Sequence, residues 1–310
     1  MGCDKEPRVD VVIPVCRPDE RLMKILERLR KQSRPVGRIY IIHTKSGEFP
    51  DMIETLEGVS VKHIEPEEFD HGGTRDLGFQ LSDAGIVVFM TQDAVPADRE
   101  LIRELVRPLL EREDVGVSYA RQLPAKGCGP AERCTRQFNY PKESRIKGKE
   151  DIEELGIKAF FCSDVCAAYR REIYDEMGGF TKKTIFNEDM VMAAHMIQAG
   201  YKTAYAANAK VFHSHNYTGI QQFKRNFDLA VSQADHPEVF AGIRSESEGI
   251  RMVKQTVYYL LKRKKARLIP ALIWQSGCKY AGYRMGLNYR RLPYWVIEKC
   301  TANRLYWMRK

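Results

Sequence analysis

Three groups of residues in this chain have the types and spacing for chemistry on a phosphorylated or hydroxylated ligand. The first is Thr91-Gln92-Asp93-Ala94, which follows the apolar run Ile86–Met90. A carboxylate at the carboxyl end of a parallel strand is placed to hold a hard cation against a phosphate. Asp also favours turn-capping positions, and spacing alone does not separate the two roles. The second is Phe69-Asp70-His71-Gly72-Gly73-Thr74-Arg75-Asp76. Two glycines ahead of a helix permit close backbone approach to an anion, and Arg75 adds a bidentate donor. A plain tight turn accounts for the same pair. The third is Asn187-Glu188-Asp189, with His213-Ser214-His215 downstream. Acids in a first helical turn are held ionised by the helix dipole and suit a base, and they are equally good capping chemistry. His213 and His215, two apart on a strand, point to one side as metal ligands do, and as a merely packed pair also does.

Other chemistries have no signature here. The turn Pro14-Val15-Cys16-Arg17-Pro18 carries no dinucleotide-binding glycines, and the chain has neither a P-loop nor a nucleophile elbow. Cys162 and Cys166 lack the two-residue spacing of redox or zinc pairs and read as small core residues.

The elements that must position these groups alternate in type. Val9–Val15, Arg38–His43, Val59–Ile64, Ile86–Thr91 and Val115–Ala120 read as strands. Asp19–Lys31, Gly72–Asp83 and Arg99–Arg112 read as helices, the first with Leu22, Ile25, Leu26 and Leu29 on one face. Such alternation predicts right-handed βαβ units, a mainly parallel sheet flanked by helices, and ligands at the strands' carboxyl ends, after Val15, His43, Ile64 and Met90. Residues 121–160 read as loops. Phe160–Tyr169 and Lys202–Phe212 are strand-like, Arg170–Met177 is a short helix, and Asn187 caps a helix closed by Gly200. From Gly219 the chain reads as helical, which predicts a body over 1–218 and a helical extension over 219–310.

Charge sharpens that division. The whole chain of 310 residues carries +9, but residues 251–310 hold fifteen Lys or Arg against Glu298 alone, a local +14, with ten Tyr or Trp. A mildly acidic body with a basic, aromatic end predicts an anionic surface as partner. Lipid headgroups fit better than nucleic acid, because no helix-turn-helix, RRM or zinc module is present. Eight cysteines are too sparse for a disulfide scaffold, and no apolar run is long enough to span a bilayer. Met1-Gly2-Cys3-Asp4-Lys5-Glu6-Pro7 has no apolar leader segment and reads as cytosolic, placing the protein in the cytoplasm, peripheral on the inner face of the plasma membrane.

The order of the clusters says more than each alone. Val11-Val12-Ile13-Pro14-Val15, Gly73-Thr74-Arg75-Asp76-Leu77-Gly78, Val87–Asp93, Phe186-Asn187-Glu188-Asp189 and Val211-Phe212-His213 together resemble the GT-A-fold family 2 glycosyltransferases across residues 9–216. The Phe69–Arg75 run, His213-Ser214-His215-Asn216-Tyr217 and Lys279–Gly286 with Tyr289 are similar to bacterial rhamnosyltransferases, which extend cell-surface polysaccharides from dTDP-L-rhamnose. That resemblance implies a nucleotide-sugar donor, a glycan or polyprenyl-linked acceptor, and an inverting displacement. It implies Asp189 as base helped by Glu188, and Mg²⁺ or Mn²⁺ held by Asp93, His213 and His215. Donor contacts are implied at Pro14, Val15, Arg17, His43, Gly73, Arg75, Gln92 and Asp93. Thr91 stands where that family's metal motif has its first Asp, and His43-Thr44-Lys45 where it has a base-reading acid. A UDP-hexose donor, a non-catalytic sugar-nucleotide binder and a nucleic-acid-binding protein remain the alternative readings.

Overall fold

A computed structural model describes residues 6–241 and 246–308. The first five residues of the cytosolic reading, and Arg309 and Lys310 of the basic end, lie outside them. The body runs β1 (Val9–Cys16), α1 (Glu20–Arg30), β2 (Ile39–Thr44), β3 (Val59–Ile64), α2 (His71–Leu81), β4 (Ile86–Met90), β5 (Val95–Pro96), α3 (Leu101–Glu111) and β6 (Val115–Leu123). It continues through α4 (Pro130–Asn139), β7 (Arg145–Lys147), α5 (Ile152–Leu155), β8 (Cys166–Arg170), α6 (Arg171–Glu176), α7 (Glu188–Gln198) and β9 (Lys202–Phe212). The extension holds α8 (Gly219–Asp235), α9 (Pro237–Phe240), α10 (Glu246–Lys262), α11 (Ile269–Leu287), α12 (Tyr294–Cys300) and α13 (Arg304–Trp307).

The strands lie in the order β3-β2-β1-β4-β8-β6-β9-β5, with β7 beside β9. Pairing is parallel from β3 to β4 and between β6 and β9. β8 enters between β4 and β6 antiparallel to both, and β5 and β7 run antiparallel to β9. The sheet is therefore mixed. The βαβ alternation that predicts parallel pairing holds as far as β4; β8 arrives instead from the long 124–165 connection and runs the other way. That connection is also not the plain loop the sequence predicts, since it contains α4, β7 and α5. Of α4 only Cys134 is buried, and its Gly127-Cys128-Gly129-Pro130 lead-in and mostly polar residues read as loop.

Period-2 alternation on β1 places Val11, Ile13 and Val15 in one apolar layer with α1 and α3, and Val12 in the other with Phe79 of α2 and Met192 of α7. Leu22, Ile25, Leu26 and Leu29 of α1 are all buried, each stabilising the fold by about 1.5–3 kcal/mol. Cys162 and Cys166 lie in this interior as free thiols.

Thr218 caps α8 through Gln221 N–H. α11 lies so close to α8 that a Cβ on Gly282 or Gly286 would meet the Phe223 or Phe227 carbonyl oxygen at 2.2 or 2.3 Å. The extension closes onto the body through a cluster joining Ile185 to Phe227, Val231, Ile297 and Trp307. Among the described residues no helix is long and apolar enough to cross a membrane.

Candidate active site

At the carboxyl end of β4 the chain turns, with Ala94 N–H donating to the Thr91 carbonyl. Thr91 Oγ1 donates to Asp93 Oδ1 at 2.8 Å, which fixes the carboxylate. Its other oxygen faces His213 Nε2 at 3.6 Å and His215 Nε2 at 3.3 Å, and the two Nε2 atoms are 3.0 Å apart. The ligand atoms of the three residues all lie within 4.8 Å of one another. The histidines follow the end of β9 instead of alternating on it, yet they converge as metal ligands do.

Behind them, Gln122 of β6 sets the tautomer. Its Oε1 accepts from Arg136, so the contact of 2.9 Å to His213 Nδ1 is a donation from the imidazole. That leaves the His213 Nε2 lone pair facing Asp93 and His215. Burial holds His213 down to about 3, so the ring is neutral at physiological pH and competent to bind a cation. Burial opposes the charge of Asp93, but His213, as it gains charge in the acid range, and the Thr91 hydroxyl outweigh this and keep the carboxyl below its ordinary range. One carboxylate and two imidazoles fit a divalent transition-metal cation.

A second cluster forms where α7 begins. Asn187 stands at the cap position but does not cap. Its backbone is left-handed (φ 64°) and its Nδ2 donates to the Leu229 carbonyl at 3.2 Å. Thr184 Oγ1 and Ser232 Oγ both donate to the Phe186 carbonyl, at 2.7 and 2.5 Å. Helix α8 therefore holds the turn that presents Glu188 and Asp189.

Arg75 is buried among carboxylates, 3.0 Å from Glu188 Oε1 and 3.4 Å from Asp164 Oδ2, and its Nη1 donates to the His71 carbonyl at 2.9 Å. The sequence reading assigned Arg75 to donor phosphates; the structure commits it to this acid cluster. Burial disfavours charge on Glu188, and Arg75 overcomes this to hold it below the usual range. Burial pushes Asp164 well above that range, Arg75 only partly offsetting it, while Tyr169 donates to Asp164 Oδ1 at 2.7 Å. Asp189 accepts from the Asp164 N–H at 3.1 Å and the Met190 N–H at 2.8 Å. Burial and the charge of Glu188 nevertheless push its carboxyl up to about 7. The helix terminus does not keep Asp189 fully ionised, as the sequence predicted. One guanidinium cannot neutralise three neighbouring carboxylates, and the remaining charge drives proton uptake.

The other expected positions fall in two sets. Gln92 pairs both ways with the main chain of Cys16, at 2.8 Å each, tying the end of β4 to the end of β1 beside Pro14, Val15 and the left-handed Arg17. Gly73 N–H is taken by the Asp70 side chain at 2.7 Å, and a Cβ on Gly72 would lie 2.2 Å from the Thr181 carbonyl oxygen. These glycines admit the 181 loop and a cap, not the anion predicted for them. His43 is buried, its Nδ1 2.9 Å from His63 and its ring 4.4 Å from Phe49. It turns toward its own sheet neighbours.

Sequence reasoning missed Asp164, Gln122 and Arg225. A lone acid in the strand-like run Phe160–Tyr169 was the available signal for the first. Gln122 and its partner Arg136 fell in the segment read as loop. Arg225 of α8 lies over the Phe186 ring at 4.6 Å and the Tyr217 ring at 5.7 Å; Tyr217 in turn stacks on His215 at 5.0 Å. One cation thus stands between the two clusters.

A mixed sheet of this order, flanked by helices, is a GT-A-like fold. The chain belongs to glycosyl transferase family 2, whose domain matches residues 10–178, and it is a glycosyltransferase. It is 37% identical over 305 residues to the O-antigen chain rhamnosyltransferase RfbN of Salmonella typhimurium, covering 97% of this chain and 96% of that one. It is 38% identical over 282 residues to the O-antigen chain rhamnosyltransferase WbaN of Salmonella anatum, covering 90% and 88%. Among solved structures it is similar to the mannosyltransferase PcManGT of Pyrobaculum calidifontis in complex with GDP-Man and Mn²⁺, with TM-score 0.64, 14% identity and coverage of 93% and 89%. TarS 1–349 of S. aureus in complex with UDP-GlcNAc gives TM-score 0.54, 12% identity and coverage of 92% and 91%. At such identities these two structures speak for the fold alone.

Proposed function

We propose that the protein is an inverting rhamnosyltransferase that moves L-rhamnose from dTDP-L-rhamnose to a hydroxyl of a lipid-linked polysaccharide precursor. The observation that carries this reading is the pairing of an Asp189 carboxyl near 7 with the Asp93–His213–His215 cluster, Arg225 standing between them. The two named rhamnosyltransferases, alike over nearly the whole chain, support the donor sugar.

In this reading Asp189 accepts the proton of the acceptor hydroxyl as its oxygen bonds to the anomeric carbon. The bond from that carbon to the diphosphate breaks on the opposite face, and its electron pair leaves with the phosphate oxygen. Glu188, ionised against Arg75, raises the proton affinity of Asp189. Arg225 takes the phosphate-binding role that the sequence gave to Arg75, since it lies on aromatic rings instead of carboxylates. Asp93, His213 and His215 would hold a divalent cation, whose chemistry when bound is to neutralise charge on the departing diphosphate. Two imidazoles favour Mn²⁺ over Mg²⁺. Pro14, Val15, Arg17 and Gln92 form the β1–β4 edge beside which the donor would lie, with residues 1–218 as catalytic body and 219–310 as extension.

Thermal stabilisation by nucleotides tests the assignment. dTDP with Mn²⁺ is expected to raise the melting temperature above UDP, GDP, NAD and ATP, and Arg225→Ala to lose most of the shift. Preference for UDP would replace the rhamnose reading with a UDP-hexose one; no shift with any nucleotide would leave a protein that does not bind donors.

The extension supports a peripheral place on an anionic membrane at the cytoplasmic face, where a polyprenyl-linked acceptor is met. Ile273, Trp274 and Tyr280 of α11, Trp295 of α12 and Tyr258 of α10 are each more than half exposed on the basic segment. Aromatic rings beside Lys and Arg suit a headgroup layer. Sedimentation with anionic vesicles at low salt, lost at high salt and absent with neutral vesicles, is the expected result. Failure to sediment at low salt ends the membrane reading.

A further inference from the structure

The body and the extension enclose a cleft of about 750 Å³ that none of the roles above uses. Its body side is Phe69, Asp70 and His71 at the start of α2, with Lys183 and Thr184 of the turn leading to α7. Its extension side includes Tyr289, Arg290, Asn303 and Tyr306. Asp235 at the end of α8 organises that side: it accepts from Tyr289, from Arg290 at 3.1 Å and from Tyr306 at 3.4 Å.

We propose that this cleft is the acceptor subsite, taking a neutral pyranose of the growing glycan behind the sugar whose hydroxyl is attacked. Three properties argue for a sugar. The walls combine aromatic rings (Phe69, Tyr289, Tyr306) with polar groups already fixed in place, and a pyranose presents C–H faces to the former and hydroxyls to the latter. The formal charges of Asp70 and Asp235 cancel those of Lys183 and Arg290, so the cleft lacks the positive excess that a diphosphate requires. The volume lies within the range of about 300–1,000 Å³ typical of small-molecule pockets.

Its position argues for the acceptor. His71, on the cleft wall, gives its carbonyl to Arg75, which holds Glu188 at 3.0 Å. Lys183, in left-handed backbone (φ 57°), and Thr184 belong to the same turn that delivers Glu188 and Asp189. A glycan seated here contacts the segment that carries the base. The cleft also explains why Phe69-Asp70-His71 precede the two glycines. Gly72 lets the helix start abut the 181 loop, and that contact brings both body segments to one wall.

This inference rests on the sugar-transfer reading of the Asp189 site, and the experiment separates the two. Saturation-transfer NMR is run on the full chain with dTDP and Mn²⁺, using methyl pyranosides of glucose, galactose, mannose, rhamnose and N-acetylglucosamine at about 10 mM each. At least one is expected to bind, and to bind at least about tenfold more weakly to Tyr306→Ala and to Arg290→Ala, both retaining the dTDP-induced thermal shift. Arg290 is on the surface, so its variant remains informative if Tyr306→Ala fails to fold. Binding that survives both substitutions, or no binding by any pyranoside while dTDP binds, overturns the cleft assignment. Absence of dTDP binding counts against the transferase reading itself and, with it, this one.

Discussion

Replacing Asp189 by Asn is expected to leave dTDP binding intact and to lower sugar transfer by about 10²–10⁴-fold, the contribution of a positioned general base. Asn keeps the size of the side chain and can still meet the N–H groups of Asp164 and Met190 through its oxygen, so the turn is preserved. What it loses is the ability to accept a proton. The wild-type rate should rise with pH through about 7, where Asp189 ionises, and the residual rate of the variant should lack that rise. Stability should move the opposite way. The folded state raises Asp189 from its ordinary 3.8, so it binds the proton more tightly than the unfolded chain does. The contribution of Asp189 is therefore fully present below about pH 3.8 and is lost as pH rises to about 7. Above that pH the Asn variant, which never ionises, should melt higher than wild type. Full transfer by Asp189→Asn, or a higher melting temperature only at acidic pH, would remove Asp189 from the role of base.

The sequence carries the fold as far as β4 and carries both clusters as separate motifs. Runs of valine and isoleucine in β1, β2 and β4, spaced by helices, read as parallel strands, and the apolar face of α1 is where its period puts it. What fails is whatever depends on a partner distant in sequence. Arg75 is a phosphate ligand by type. It becomes the neutraliser of Glu188 and Asp164 only because α7 and the segment before β8 close over α2, contacts separated by about a hundred residues. Asp189 looks ionised by local rules, because capping is local while the burial that does most to raise its carboxyl is not. The direction of β8 is likewise decided by its neighbours β4 and β6, not by its own residues. The His pair shows the converse: its assumed geometry, alternation on a strand, is wrong in detail, yet the convergence on Asp93 is found.

Chelation is expected to abolish transfer, with Mn²⁺ restoring it at lower concentration than Mg²⁺, and the cause lies as much behind the ligands as in them. With Thr91 in place of a second carboxylate, the proposed metal site would have a single negative ligand, Asp93, which lies 2.8 Å from the Thr91 hydroxyl. Its affinity then depends on the two imidazoles presenting lone pairs, and Gln122 enforces this for His213. Asp93→Ala and His213→Ala should each lose Mn²⁺ binding and nearly all activity. Gln122→Leu touches no ligand atom, yet it frees the His213 ring to turn or change tautomer and leaves Arg136 with Glu132 as its remaining acceptor. It should weaken Mn²⁺ about 10–100-fold, the usual effect of removing such a support, while kcat at saturating Mn²⁺ stays near that of the wild type. Isothermal titration of Mn²⁺ in the presence of dTDP reads the affinity directly, and activity against Mn²⁺ concentration reads the rescue. A loss of kcat that saturating Mn²⁺ does not restore would mean that Gln122 supports something other than the metal site. Full activity in excess chelator would mean that Asp93, His213 and His215 do not hold a required cation at all.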